Sequence, residues 1–279
     1  FDSMKFYRLL SLSALLLLMP LKQGFAEITL LAHGYMSDPS IWEVSGVNNM
    51  LREDGWQYAG NLGFSPAGLL DSTITLEQAD KRFYTVQLPA LAPAAIQASW
   101  LNAALQHLAT RYPNESINLV GHSAGGVVAR LSLIQYGAGP VKRLVTIAAP
   151  HLGTDKAIDA LDATNNSGMF GFIKKALVKD AIGSGLYNTL RHSRGILIDL
   201  TPPAPGSMLF WLNAQAHPDI EYISIIRSSG FNIAGDITVP PFSQDMNQVP
   251  VLAGKSKPYI VIQGHELTPQ DGKLLADIL

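Results

Sequence analysis

The most restrictive feature of this chain is a strand that turns into a helix within six residues. Ile117-Asn118-Leu119-Val120 reads as a short apolar strand, Gly121-His122-Ser123-Ala124-Gly125-Gly126 follows at once, and a helical pattern runs on to about Tyr136. This is G-x-S-x-G between a strand and a helix. A serine at so sharp a turn projects its hydroxyl into a cleft. A side chain at either flanking glycine would collide with the neighbouring strand or helix. The helix that begins there aims its N-terminal dipole at the same point and favours negative charge developing on it. A phosphate loop would need a lysine that is missing, and a dinucleotide fingerprint needs another glycine pattern. Ser123 is therefore a candidate nucleophile, and the backbone N–H of Ala124 beside it a candidate donor to an oxyanion.

The rest of the chain supplies a setting for that turn. Glu27 to Ala32, Phe83 to Leu88, Val141 to Ala148, Tyr222 to Ile226 and Tyr259 to Ile262 read as further buried strands. Helices are expected from about Ile41 to Asp54, from Pro93 to Tyr112 and from near Asp271. In the second, Ile96, Trp100, Ala103 or Ala104, and His107 or Leu108 recur at helical spacing. Alternating strands and helices predict an α/β fold with a mostly parallel sheet covered on both faces. Residues from His151 to Trp211 have helical patches but no clear strand, so they read as a cap or lid inserted in one domain. That domain is expected to span 27–279.

The first 26 residues read as targeting rather than fold. Lys5 and Arg8 precede an apolar run from Leu9 to Met19, Pro20 breaks it, and Gly24-Phe25-Ala26 has the small residues a signal peptidase reads. Phe1-Asp2-Ser3 stand ahead of a natural start at Met4. The run is shorter than the roughly 20 residues of a relaxed transmembrane span. Cleavage after Ala26 is expected, with the mature protein secreted or periplasmic and without an integral membrane span. The chain has no cysteine, so disulfides, a cysteine nucleophile and a lipoprotein anchor are excluded. A net charge of −2 gives no electrostatic footprint for nucleic acid.

Four segments together resemble the bacterial lipase and esterase branch of the α/β-hydrolase superfamily. They are Leu31-Ala32-His33-Gly34-Tyr35, the Ser123 turn, Ala149-Pro150-His151-Leu152-Gly153-Thr154, and the pair Gly235-Asp236 with Gly264-His265. The resemblance implies a Ser-Asp-His triad in that chain order. Of the seven histidines, His265 is the expected base, because it lies between the last strand and the last helix. His122 should point away from the serine, His151 reads as structural, and His107, His192 and His217 read as surface or packing residues. Asp236, in Gly235-Asp236-Ile237-Thr238-Val239-Pro240, is the expected acid, with Asp199 and Asp245 as runners-up. The resemblance also implies that the backbone N–H of Tyr35 is the second oxyanion donor and that His33 braces its loop. No cofactor or metal is expected, since Pro269 stands where H-E-x-x-H after His265 would need its second histidine.

In the insertion, Met169 to Lys179 could form an amphipathic helix, with Phe170, Ile173 and Leu177 on one face and Lys174, Lys175 and Lys179 largely elsewhere. Gly183-Ser184-Gly185 looks like a hinge. Such a helix would be either a lid over an acyl pocket, making transient contact with a lipid interface, or a fixed cap. The expected activity is hydrolysis of carboxylic esters with apolar acyl groups through an acyl-enzyme at Ser123. An amidase, thioesterase or acyltransferase with the same triad is the alternative, as is a non-catalytic binding protein on the same fold.

Overall fold

The computed structural model describes residues 27–74, 79–165, 179–230 and 235–279. The leader expected at residues 1–26 and most of the amphipathic stretch expected at 169–179 lie outside the described residues. Eight strands form one sheet: β1 (Glu27–Ala32), β2 (Gln57–Ser65), β3 (Gly68–Asp71), β4 (Lys81–Val86), β5 (Ser116–His122), β6 (Val141–Ile147), β7 (Glu221–Ser228) and β8 (Ser256–Ile262). Their order is β3-β2-β4-β1-β5-β6-β7-β8. Every neighbouring pair is parallel except β2 with β3.

The central strands are mostly apolar because both their faces are covered, with Thr29, Asn118, Thr146, Ser224 and Arg227 as buried polar exceptions. Successive side chains alternate between two cores. Ile28, Leu30 and Ala32 of β1 point to one side, where α3 (Ala94–Arg111) and α4 (Ala124–Tyr136) supply Leu101, Leu105, Val127 and Leu131. Leu31 and Val120 point to the other. There α1 (Ile41–Val44), α2 (Val47–Glu53) and α10 (Pro269–Ile278) supply Trp42, Leu51 and Leu275. Each such leucine removed from water contributes about 1.5–3 kcal/mol. Among the described residues of the insertion there is no strand. Its helices are α5 (Asp155–Ala163), α6 (Ser184–His192), α7 (Arg194–Asp199) and α8 (Met208–Ala214). Leu190, Ile196, Leu197 and Leu209 join the same core as α3 and α4. A four-residue helix, α9 (Pro241–Gln244), follows β7.

Three local expectations are corrected. The pair β2 and β3 is absent from the sequence reading, because Gly60, Gly63 and Gly68 interrupt the apolar pattern. Gly60 has a physical reason: φ is 141°, and a Cβ there would lie 2.7 Å from the Ser72 carbonyl oxygen. The helix expected over 41–54 is two short helices, broken at Gly46 with φ 82°. In α3 the buried face is Ala94, Gln97, Ala98, Leu101, Ala104, Leu105 and Leu108, so Ala104 and Leu108 of the expected stripe are buried. Ile96, expected to face inward, is 47% exposed.

Candidate active site

Ser123 joins β5 to α4 with φ 51° and ψ −128°, a left-handed conformation for a residue with a side chain. Such strain costs about 1–3 kcal/mol and persists only where the surroundings hold it. The Ser123 N–H donates to the Ile147 carbonyl at 2.8 Å, tying the turn to the end of β6, and the Gly126 N–H donates to the Ser123 carbonyl at 3.0 Å. The flanking glycines are required by space. A Cβ on Gly121 would sit 2.6 Å from the Gly126 Cα, and one on Gly125 would sit 2.7 Å from the Ala32 carbonyl oxygen at the end of β1. A Cβ on Gly126 would meet the Ala149 methyl at 2.6 Å.

Two loops from the far side of the sheet meet the serine. His265, after β8, lies with Nε2 2.9 Å from Ser123 Oγ. Its Nδ1 lies 2.6 Å from Asp236 Oδ2, in the loop after β7. An ionised carboxylate only accepts, so Nδ1 carries the proton, and Nε2 is left as the acceptor for the serine hydroxyl. The Asp236 side chain has no exposed surface. Its burial, the largest influence, pushes its pKa up. The His265 hydrogen bond and charge, with the Val239 and Thr238 N–H groups, outweigh it and hold the carboxyl below its usual value. Asp236 Oδ1 accepts from the N–H groups of Thr238 at 2.7 Å and Val239 at 2.8 Å, and Oδ2 accepts from Gln244 Nε2 at 3.0 Å.

The loop that carries His265 is clamped on three sides. Arg227 of β7 and Asp271 of α10 form a bidentate ion pair at 2.7 and 2.9 Å, and both side chains are fully buried. Asp271 also accepts from the Thr268 N–H at 2.9 Å, while Thr268 caps its helix in return. Gln263 donates to the Glu266 carbonyl and to Asp271 Oδ2, each at 3.0 Å. His122, at the end of β5, donates from Nε2 to the His265 carbonyl at 3.0 Å. Burial, reinforced by the neighbouring His265, pushes the His122 pKa down to about 3. His122 therefore stays neutral beside the His265 ring.

The loop after β1 lies directly against the serine. A Cβ on Gly34 would be 2.9 Å from Ser123 Cβ and 3.5 Å from Ser123 Oγ. His33 is buried; its Nδ1–H donates to the Gly34 carbonyl at 3.1 Å, and its Nε2 accepts the Leu88 N–H at 3.0 Å. Tyr35 Oη shares a 2.6 Å hydrogen bond with Ser193 Oγ at the end of α6, which ties this loop to the insertion. Beside the turn at Asp236, Leu152, Pro202, Pro203, Pro240 and Phe242 line an apolar groove of about 570 Å³.

Among solved structures, the product of a Listeria innocua gene superposes with a TM-score of 0.57 at 16% identity, over 90% of this chain and 89% of its own. A Bacillus licheniformis lipase in its mature form gives 0.52 at 14% identity, over 92% and 91%. The chain has the α/β-hydrolase fold. A family model described as a PGAP1-like alpha/beta domain matches residues 87–181 of this chain. That stretch contains the Ser123 turn and stops before Asp236 and His265. A GPI inositol-deacylase of Phaeosphaeria nodorum is 25% identical over 191 residues, 56% of this chain and 18% of its own length. A Yarrowia lipolytica protein named for the same activity is 43% identical over 63 residues, 20% of this chain and 8% of its own. The chain thus spans less than a fifth of the length of either curated relative.

The remaining candidates lie elsewhere in the α/β-hydrolase frame. Asp199 accepts the Ala94 N–H at 2.8 Å and caps α3, and burial raises its pKa. Asp245 accepts the Asn247 N–H at 2.9 Å within a 3-10 turn. His107 pairs with Asp71 at 2.7 Å, and His192 is exposed and bonds the Asn188 carbonyl at 2.7 Å. His151 and His217 surround the buried guanidinium of Arg130, whose Nη1 donates to His151 Nδ1 at 3.1 Å and whose Nε donates to His217 Nε2 at 3.2 Å. Burial next to that cation holds both imidazoles well below their ordinary pKa, His217 at about 4. Among the described residues no group of three or more His, Cys, Asp or Glu side chains converges as metal ligands would. The sequence reading missed Arg227, Asp271, Gln244 and the bond from His122 to His265. Only the Thr268–Asp271 capping spacing was a legible signal for any of them.

Proposed function

We propose that the chain is a serine ester hydrolase. Ser123 Oγ attacks the acyl carbonyl while His265 Nε2 takes its proton, giving a tetrahedral intermediate. The backbone N–H groups of Ala124 and Tyr35 hold the oxyanion, and the N-terminus of α4 adds its dipole. His265 then protonates the departing alkoxide as the carbonyl reforms, leaving an acyl-enzyme. Water, deprotonated by the same imidazole, releases the acid and restores the serine. Asp236 keeps Nδ1 protonated and stabilises the imidazolium without taking its proton. The observation that carries this reading is His265 standing 2.9 Å from Ser123 Oγ and 2.6 Å from Asp236.

The substrate we propose is a carboxylic ester with an apolar acyl group, with the groove at Leu152, Pro203 and Phe242 taking part of the chain. The lipase and the two proteins named as inositol deacylases are in keeping with an acyl ester of a lipid. Export with removal of residues 1–26 belongs to the same proposal.

Labelling by a fluorophosphonate tests the nucleophile. Wild-type protein should label and lose its activity towards short chromogenic esters. Folded Ser123→Ala should do neither, with turnover down by several orders of magnitude. Folded wild type that neither labels nor hydrolyses any ester from acetyl to long-chain acyl refutes the proposal.

A further inference from the structure

Gln244, the last residue of α9, is 1% exposed and its carboxamide is fully engaged. Nε2 donates to Asp236 Oδ2 at 3.0 Å and to the Val239 carbonyl at 2.7 Å. Oε1 accepts the Arg227 N–H at 2.8 Å. The guanidinium of the same Arg227 leaves β7 towards Asp271 and donates to the Glu266 carbonyl at 3.4 Å, next to His265. One residue of β7 is therefore the common anchor of both loops. Its backbone holds the Asp236 turn through Gln244, and its side chain holds the His265 loop.

The Asp236 carboxylate accepts four donors: two backbone N–H groups, Gln244 and His265. The bonds to Oδ1 leave rotation about the Cβ–Cγ axis to be limited by what meets Oδ2. Gln244 meets it from the protein side and His265 from the cleft side. The position needs two donors and one acceptor at that reach, in a group with no charge, and a carboxamide supplies this set. An ionised glutamate of the same size would face two acceptors with acceptors of its own. It would also add a second negative charge about 3 Å from the first, where like charges cannot both ionise freely.

We propose that Gln244 is a positioning residue for the acid–base pair: its amide fixes the plane of the Asp236 carboxylate so that Oδ2 faces His265 Nδ1, and does so without altering the charge of the site. The proposal rests on the reading of Ser123, His265 and Asp236 as a catalytic triad. A residue that only filled space would be replaceable by any side chain of similar volume.

The test compares full-length wild type, Gln244→Met, Gln244→Glu and Gln244→Asn on p-nitrophenyl butyrate, with pH profiles of kcat and kcat/KM and with melting curves to confirm folding. Gln244→Met, which keeps the volume and loses the amide, should lower kcat about 10- to 100-fold with KM little changed. Gln244→Glu should move the acid limb of the profile to higher pH, because two carboxyls that cannot both ionise freely take up a proton, in company with His265, at higher pH than Asp236 and His265 do alone. Gln244→Asn, which keeps the amide but withdraws it by one methylene, should lower kcat in the same manner. It carries the test if the other two fail to fold. Folded variants with wild-type kcat and an unshifted acid limb overturn the proposal. Wild type that folds but lacks Ser123-dependent labelling and ester hydrolysis overturns instead the triad reading beneath it.

Discussion

Replacing Asp236 by asparagine should abolish turnover while leaving the fold in place, and the structure says why. Two backbone N–H groups point at Oδ1, so the asparagine carbonyl will be drawn to that side. Its NH2 group then stands where Oδ2 stood and faces two donors, Gln244 Nε2 and His265 Nδ1–H. The imidazole can relieve this by moving its proton to Nε2, so that Nδ1 accepts from the new amide. That tautomer has no lone pair for the Ser123 hydroxyl. In triads of this geometry the wrong tautomer costs on the order of 10⁴ in kcat, which is about 5.4 kcal/mol of barrier. The stability loss should be smaller, about 1–3 kcal/mol for the buried donor left unpaired on Gln244. The assay is kcat on a short chromogenic ester at neutral pH, beside the phosphonate labelling rate and a thermal melt. Asp199→Asn and Asp245→Asn are the controls. Each alters a local cap and should keep kcat within about threefold, since neither carboxylate touches the imidazole. If Asp236→Asn retains more than a tenth of wild-type kcat, the acid is misassigned and the tautomer argument fails with it.

Acid should unfold this protein early. His122, His151 and His217 are held neutral in the fold, His122 to about 3 and His217 to about 4, against an ordinary value of 6.5. Below 6.5 the unfolded chain takes up protons that the folded chain refuses, so stability falls with pH through that window and levels off only near the folded values. Two protons gained near pH 5, on His122 and His151, correspond to roughly 3 kcal/mol per pH unit, with a smaller share from the partly exposed His217, measurable as the pH dependence of the urea midpoint; a flat midpoint from pH 7 to 5 would contradict it. Asp271→Asn breaks a fully buried ion pair and should destabilise by about 3–5 kcal/mol, with kcat reduced in what remains folded; unchanged melting would show the pair to be dispensable. Phe242→Ala removes an exposed wall of the apolar groove. It should raise KM about three- to tenfold for long acyl esters and leave short ones alone, as a chain-length series would reveal.

The parts of this molecule that could be read in advance share one property: their meaning is local. The Ser123 turn is legible because a strand, two close-approach glycines and a helix start leave little choice of conformation within six residues. The buried strands β1, β4, β5, β6 and β7 are legible because a strand covered on both faces is mostly apolar. The turn around Asp236 and the loop around His265 are expected from their position relative to strands, together with family resemblance. What escaped was non-local or disguised. In β2 the side-chain pattern is blunted by Gly60, which is present because the chain passes against Ser72. The inward face of α3 was displaced because Ile96, the largest apolar residue of its first turn, is turned to solvent. The Arg227–Asp271 pair joins residues 44 positions apart, and nothing near either residue announces the other.

The same distinction bears on how the site is held together. Ser123 and His265 are separated by 142 positions, and Asp236 and His265 approach from loops after two different strands. Loops alone would leave such a meeting loose, and errors of about 1 Å in aligned groups cost about a hundredfold in rate. The sheet supplies the reference instead. The end of β5 carries Ser123 and, one residue earlier, the His122 imidazole that holds the His265 backbone. β7 carries Arg227, which holds the acid turn with its backbone and the base loop with its side chain. Each link from sheet to loop is made by a buried polar group, and each is costly to leave unpaired. The base loop therefore has little to gain by shifting: moving His265 away from Ser123 would strand the His122 N–H and disturb the donors packed around Asp271. The hydrogen bonds that orient the proposed triad are thus stabilised by the same burial that stabilises the sheet.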